Sequence, residues 1–390
     1  MRVAVVSEFY PRAHDPVLGI WAHRQALAAR DAGADVRVIV LHRPVPPRAT
    51  RPRDAPKALA TMLAQPRSST LDGLEVQYVP FLAPARQGSY GSWGAWAAPS
   101  LAVALRRLRR RFAFDLVHAH NAVPAADATL RAGIRAPLVV SVHGGDVYFT
   151  APRYEAGAQA VRRAFSTARL VLANSAGIEH DARRLGAHRT RVVRLGADVP
   201  ADAAQHKADA PTLVTVGHLV ARKRHADVIR ALWLLRDRLP DLRYLVIGDG
   251  PEREPLARLA AQLGVADRVE LAGQLAHAVA MSRARAAHVF VMPSVDEAFG
   301  VVYVEAMAAG LPAIGARGEA GPQEIAGVGE GLRLVAPGDV EALAAEIEGL
   351  ITDPQYAKDL GEAARETVLR AFTWEACGRA TVAAYQDALR

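Results

Sequence analysis

A single cysteine, Cys377, stands among 390 residues, so no internal disulfide can form and nothing suggests a metal cluster. Long apolar runs are also missing: VAVV, VRVIVL and APLVVSV are typical, far short of the roughly 20 residues that span a bilayer. The amino terminus, MRVAVVSEFYP, has no extended apolar stretch ahead of a small-residue cleavage site, as a signal peptide would. Together these absences predict a cytoplasmic chain. Several signatures are absent too. There is no D-x-D triplet, Walker A loop, H-E-x-x-H or G-x-G-x-x-G, and no G-x-S-x-G elbow. Metal-dependent chemistry therefore has no support in the sequence.

What is present fits a globular protein: 51% hydrophobic residues and a mean hydropathy of +0.05. The length predicts two domains. Charge is unevenly shared. Residues 1–200 hold 28 Lys and Arg against 14 Asp and Glu, which leaves 20 and 26 for residues 201–390. The basic excess of the first half is densest in RRLRRR (106–111) and in RPVPPRATRPRDAPK (43–57). An anionic partner would explain it, and so would an Arg-rich composition with solvated faces.

Short β-branched runs alternate with helical stretches throughout. VAVVS (3–7), VRVIVL (36–41), EVQYVPF (75–81), LVHAH (116–120), PLVVSVH (137–143) and LVLANS (170–175) read as strands of the first half. TLVTVG (212–217), LRYLVIGDG (242–250), RVELAG (268–273), HVFVMPS (288–294), LPAIGA (311–316) and GLRLV (331–335) repeat the scheme. Such runs, joined by helices, predict two doubly wound parallel sheets of the Rossmann type facing a cleft. The polar stretch 197–211 reads as the linker. Ligands of such sheets bind beyond the carboxyl ends of the strands, so candidate residues should follow strands.

The stretch DEAFGVVYVEAMAAG (296–310) passes that test, since it follows HVFVMPS. Gly300 opens a helix whose first N–H groups, near Phe299, Gly300 and Val301, can cradle an anion. Glu297 and Glu305 would flank that anion. The plainer alternatives are a helix-end charge for Glu297 and a buried ion pair with an arginine for Glu305. In GHLVARKR (217–224), Arg222 and Lys223 leave a strand end and suit a diphosphate. In HGGDVY (143–148), His143 and Asp146 are expected to project into the cleft. Gly19 lies in the first β–α connection, ahead of a helix carrying His23 and Arg24.

Taken together and in order, these motifs resemble the retaining glycosyltransferases of family 4, which have the GT-B fold. Glu297 and Glu305 form the E-x7-E pattern in EAFGVVYVEAMAAGLP, and LRYLVIGDGPERE, DRVELAGQL, GEAGPQEI and GLRLVAPGDVEALA are similar to family segments. FTWEACGRATVAAYQDAL (372–389) is similar to the terminal helix that completes the first domain. The resemblance implies an acceptor domain over 1–200 completed by 373–390, and a donor domain over 201–372. It implies a metal-independent transferase that moves a sugar, with anomeric retention, from a nucleoside diphosphate. No cofactor is expected; a uridine donor is preferred on family frequency, and a guanosine donor stays open. Glu305 would hold the ribose, Glu297 the transferred sugar, and Lys223 with the amides of Phe299 to Val301 the diphosphate. Gly19 would approach the diphosphate, His143 would lie near the reacting carbon, and Leu275 would contact the base. Asp146 and Arg24 are candidates on the acceptor side.

One position departs from the family pattern. His218, counted with the donor-binding residues, stands where an arginine is usual; either it makes phosphate binding depend on pH, or Arg222 or Arg224 replaces the guanidinium, and Arg222 is expected to compensate. The opening segment FYPRAHDPVLGIWAHRQALAARDAGADVRVI resembles members that build cell-surface polysaccharides. That implies a glycan or lipid-linked acceptor and an enzyme peripheral to the inner membrane face, held by its basic first half. Nucleic acid is not expected as a partner. Trp93 and Trp96, in an aromatic-glycine loop (89–99), are read either as interfacial anchors or as packed loop residues. A non-catalytic sugar-nucleotide-binding protein and an epimerase on the same fold are the alternatives. A glycosidase, with carboxylates about 5–10 Å apart, is disfavoured by the anion site between Glu297 and Glu305.

Overall fold

The computed structural model describes residues 1–46, 50, 52–201 and 207–390. Residues 47–49 and 51 of the basic run, and 202–206 of the expected linker, lie outside the described residues. The chain divides into two compact units: Met1–Leu195 with Trp374–Arg390, and Gly196–Thr373.

Among the described residues the first unit is built on eight strands: β1 (Arg2–Ser7), β2 (Asp35–His42), β3 (Ser68–Leu71), β4 (Leu74–Pro80), β5 (Leu116–His120), β6 (Leu138–Val142), β7 (Leu170–Ala173) and β8 (Thr190–Val192). Their order is β3-β4-β2-β1-β5-β6-β7-β8. All pairs are parallel except the β3–β4 hairpin. The middle strands are buried along almost their whole length because helices cover both faces. Neither β3 nor β8 was expected. The sequence of β3 is the polar, half-exposed SSTL, and β8 is only TRV, so neither carries an apolar run.

The second unit holds β9 (Thr212–Val216), β10 (Arg243–Ile247), β11 (Val269–Gly273), β12 (Val289–Met292), β13 (Ala313–Ala316) and β14 (Leu332–Val335). They are parallel throughout, in the order β11-β10-β9-β12-β13-β14. The strand order runs outward in opposite directions from the β9–β12 boundary, which is where an open sheet of this kind leaves its binding crevice.

The closing helix, Trp374–Leu389, belongs to the first unit. Its Thr381 hydroxyl accepts from Gln25 Nε2 at 3.2 Å, on the helix Ile20–Asp31. Tyr385, fully buried, meets His118 Nδ1 at 2.7 Å. The segment 89–99 is no loop. It forms a short turn and the start of a helix, Trp93–Arg111, because Trp93 is wedged edge-on against Phe81 and Tyr90. Trp93 is buried and half of Trp96 is exposed, so only Trp96 is available to an interface. Among the described residues no helix is long and apolar enough to cross a membrane.

Candidate functional site

In the second unit, the switch point gathers most of the residues expected to hold a donor. Lys223 follows β9 and Glu297 follows β12, so adjacent strands deliver them to the same place. Both are buried. Lys223 Nζ donates to Glu297 Oε2 at 2.6 Å, and the Ser294 hydroxyl donates to the same oxygen at 2.9 Å. Arg222, nearly half exposed, brings Nη1 to 3.7 Å from that oxygen and donates to the Asp296 carbonyl at 3.3 Å. Burial pushes the Glu297 carboxyl up, but the Lys223 ammonium, with Arg222 and the Ser294 hydroxyl, more than offsets it and holds the pKa below its ordinary value. Lys223 is lowered, since burial outweighs the pull of Glu297. His218, on the same turn, is exposed.

The backbone beside this pair is shaped for a helix start. Gly300 has φ +76°, and the helix Val301–Ala308 follows it. A Cβ at Gly300 would lie 2.5 Å from Tyr303 Cδ2, so the position needs glycine for both its dihedral and its space. The first amides of this helix have no partner within it. Phe299 is buried against Phe372, with ring centroids 5.9 Å apart, and this anchors the turn. The Glu297 amide donates to Glu319 Oε2 at 3.0 Å.

Glu305 lies farther along the same helix, and its side chain is 15% exposed. Its Oε1 is 2.8 Å from Nε2 of His277, on the helix His277–Arg285. The partner in this structure is thus a histidine, not an arginine. Leu275 is half-buried in the connection after β11.

The other predicted residues belong to the first unit. His143 follows β6, and its Nε2 is 2.9 Å from Nδ1 of His120, at the end of β5. The outer nitrogens, His143 Nδ1 and His120 Nε2, are buried without a partner among the described residues. Burial lowers the pKa of His143 to about 4, so the ring is neutral near pH 7. Asp146 does not project outward. It is 1% exposed, and its carboxylate accepts the Ala122 and Val123 amides at 2.7 and 3.2 Å, bracing the turn after β5. Burial raises its pKa to about 7 despite those amides. Arg24 lays its guanidinium over Trp374, 5.5 Å from the ring centroid. Gly19, at φ +64°, has no room for a Cβ, which would sit 2.1 Å from the Phe9 carbonyl carbon. The backbone of this chain therefore demands glycine there before any ligand does.

Four residues without an expected role complete these surroundings: Ser294, Glu319, His277 and His120. Ser294 ends the strand run HVFVMPS and Glu319 lies in GEAGPQEI, so both sat within motifs already noted. Nothing at the level of spacing marked His277. Among the described residues, no three or more His, Cys, Asp or Glu side chains are grouped as metal ligands.

Residues 18–200 match the model of Glycosyltransferase Family 4, and residues 200–367 match that of Glycosyl transferases group 1. The chain is 34% identical over 177 residues to the GDP-mannose-dependent alpha-(1-6)-phosphatidylinositol monomannoside mannosyltransferase of Mycolicibacterium smegmatis. That alignment covers 44% of this chain and 46% of the relative, so the chain spans about half the relative's length. It is 27% identical over 381 residues, 93% of both chains, to TuaC, assigned to teichuronic acid biosynthesis in Bacillus subtilis. In structure it is similar to the sucrose-phosphate synthase of Thermosynechococcus elongatus, with a TM-score of 0.78, 23% identity, and coverage of 99% and 98%. That last likeness shows the fold alone.

Proposed function

The chain belongs to the GT-B glycosyltransferases of family 4, and from that premise we propose that it transfers a glycosyl group from a nucleoside diphosphate sugar, with retention and without a metal. The observation that carries this reading is the Lys223–Glu297 pair beside the Gly300 helix start, at the switch point of the second sheet. In this reading the second unit holds the donor and the first unit, with its closing helix, holds the acceptor.

Each part of the donor has a counterpart in the chain. As the leaving diphosphate gains charge, the Lys223 ammonium, the Arg222 guanidinium and the helix amides stabilise it by fixed charges and dipoles. Arg222, already within 3.7 Å of Glu297, supplies the guanidinium that His218 does not. Glu297, kept ionised by Lys223, accepts hydroxyls of the transferred sugar. Glu305 accepts the ribose hydroxyls in competition with His277, and Leu275 lies beside the base. The neutral His143 ring, oriented by His120, can accept a hydrogen bond near the reacting carbon. The donor nucleoside is uridine or guanosine.

For the acceptor, we read a glycan precursor, lipid-linked or at the cell surface. The exposed apolar side chains Leu59, Leu63, Leu82 and Trp96 in the first unit support that reading. So do Arg106, Arg107 and Arg109 to Arg111, all exposed at the end of the helix Trp93–Arg111, where anionic lipid would attract them. The test of the donor reading is thermal unfolding with UDP, GDP and their sugars, since a ligand that binds only the folded state raises the melting temperature. A rise with one nucleotide, weakened in Lys223→Gln, is expected. No rise with any nucleotide overturns the reading.

A further inference from the structure

At the carboxyl ends of β4, β2 and β1, adjacent in that order, the chain places three arginines. Arg12 lies in the connection after β1, Arg43 directly follows β2, and Arg86 comes in the segment after β4. Each is fixed by the backbone or by a ring. Arg12 Nη2 donates to the carbonyls of Glu8 and Leu41 at 2.9 and 3.3 Å. Arg43 Nε donates to the Ala83 carbonyl at 3.0 Å. Arg86 stacks 4.0 Å from the Tyr90 ring centroid, and Trp93 is a shared floor, 5.0 Å from Arg43 and 5.5 Å from Arg86.

One carboxylate does not account for three guanidiniums. Glu8 is buried and takes Arg86 Nη1 at 3.3 Å and the Tyr90 hydroxyl at 2.7 Å, so Arg86 already neutralises it. Asp15 is near Arg12, yet among the described residues no carboxylate pairs with Arg12 or Arg43, and Arg12 Nε is buried without a partner. Counting Glu8 and Asp15 against the three arginines leaves an excess positive charge. Partly buried cations without counter-charge are costly. Burial, reinforced by Arg86, lowers both Arg12 and Arg43 from their ordinary values, against the pull of Glu8. Preset guanidinium forks with spare donors suit an oxyanion such as phosphate.

The cluster also has an address. Arg86 lies 5.2 Å from the Phe9 ring, Phe9 is 6.3 Å from Trp21, and Trp21 is 6.2 Å from His143. Two aromatic rings therefore separate these arginines from the histidine assigned to the reacting carbon. The donor diphosphate has its own cations in the second unit. We infer that Arg12, Arg43 and Arg86 form a binding site for a phosphate group carried by the acceptor, a conclusion that rests on the transferase reading above.

The probe is glycerol 3-phosphate, titrated against protein saturated with whichever of UDP and GDP raises its melting temperature, so that the donor site is filled, with glycerol as the neutral control. Phosphatidylcholine vesicles with and without phosphatidic acid form the second arm. The phosphate ester should raise the melting temperature saturably, and glycerol should not. Arg43→Gln, which removes from the fold one carbonyl contact and the stacking on Trp93, should weaken binding roughly ten- to a hundredfold, as loss of a charge-assisted hydrogen bond predicts. Arg43→Lys, which keeps the charge but loses the fork, should fall between. Saturable binding only to vesicles with phosphatidic acid, lost in Arg43→Gln, supports the site and identifies a lipid headgroup as the source. Absence of saturable binding in both arms, or wild-type affinity in Arg43→Gln, overturns the inference. Stabilisation of the same variants by that nucleotide separates this failure from failure of the transferase reading.

Discussion

Replacing Lys223 by methionine removes the cation that keeps Glu297 ionised in a buried place. Glu297 Oε2 would retain the Ser294 hydroxyl at 2.9 Å and the half-exposed Arg222 at 3.7 Å. Breaking a buried ion pair from one side costs about 3–5 kcal/mol, and the surviving contacts place this variant near the lower end, about 3 kcal/mol. That cost corresponds to a roughly hundredfold loss of hydrogen-exchange protection for core amides of β9 and β12. The cost should depend on pH. In the wild type the Glu297 pKa lies below its unfolded value, so the pair's contribution is present above the ordinary carboxyl pKa and is lost as pH falls through the folded one. In the variant, burial is left as the leading influence and pushes the carboxyl up. Its folded form is then favoured in acid and disfavoured as pH rises. The gap between variant and wild type should therefore shrink from pH 8 to pH 5, and Glu297→Gln added to Lys223→Met should close most of it. A cost under about 1 kcal/mol, or one equal at both pH values, would refute the reasoning.

Other outcomes follow from the same geometry. Gly300→Ala should destabilise the second unit by about 1–3 kcal/mol, read as a lower melting temperature, because φ is +76° and the Cβ meets Tyr303. Glu305→Gln should weaken nucleotide binding, measured by titration calorimetry, while stability changes by less than about 1 kcal/mol, since its partner His277 is 44% exposed. His143, lowered by burial to about 4, should stabilise the first unit above pH 6.5 and lose that contribution as pH falls toward 4. Denaturant melts of wild type and His143→Asn across that range would show it, the wild type falling more steeply. His120→Ala should lower kcat more than it raises KM, because it frees the ring of His143 without touching a donor contact.

Regular elements were legible where burial imposes a pattern. The central strands, such as VAVV in β1 and VFVM in β12, are apolar runs, and the E-x7-E stretch announces both its helix and its glycine start. The missed strands, β3 and β8, sit where exposure frees the sequence from any such pattern. At the site, residue types could be read but not their partners. Lys223 and Glu297 were expected at separate parts of a donor, yet they bond to each other, because strand order, which no local pattern records, makes β9 and β12 neighbours. Asp146 had the right position after a strand and still turned inward, since the amides after β5 needed an acceptor. Of the two readings open for Trp93, interfacial anchor or packed residue, the buried one holds: within a helix, not a loop, it is the floor beneath Arg43 and Arg86.

The first unit takes its last helix from sequence that follows the second unit, and this bears on the order of synthesis. Leaving the ribosome, residues 1–195 lack the segment that covers His118 and the inner face of the helix Ile20–Asp31. The second unit is continuous and can close as soon as Thr373 has emerged. A nascent chain therefore completes its halves in reverse of their order in the sequence. Until Tyr385 arrives, His118 Nδ1 lacks its partner and the Ala28 turn of the helix Ile20–Asp31 lacks Gly378, which packs against it.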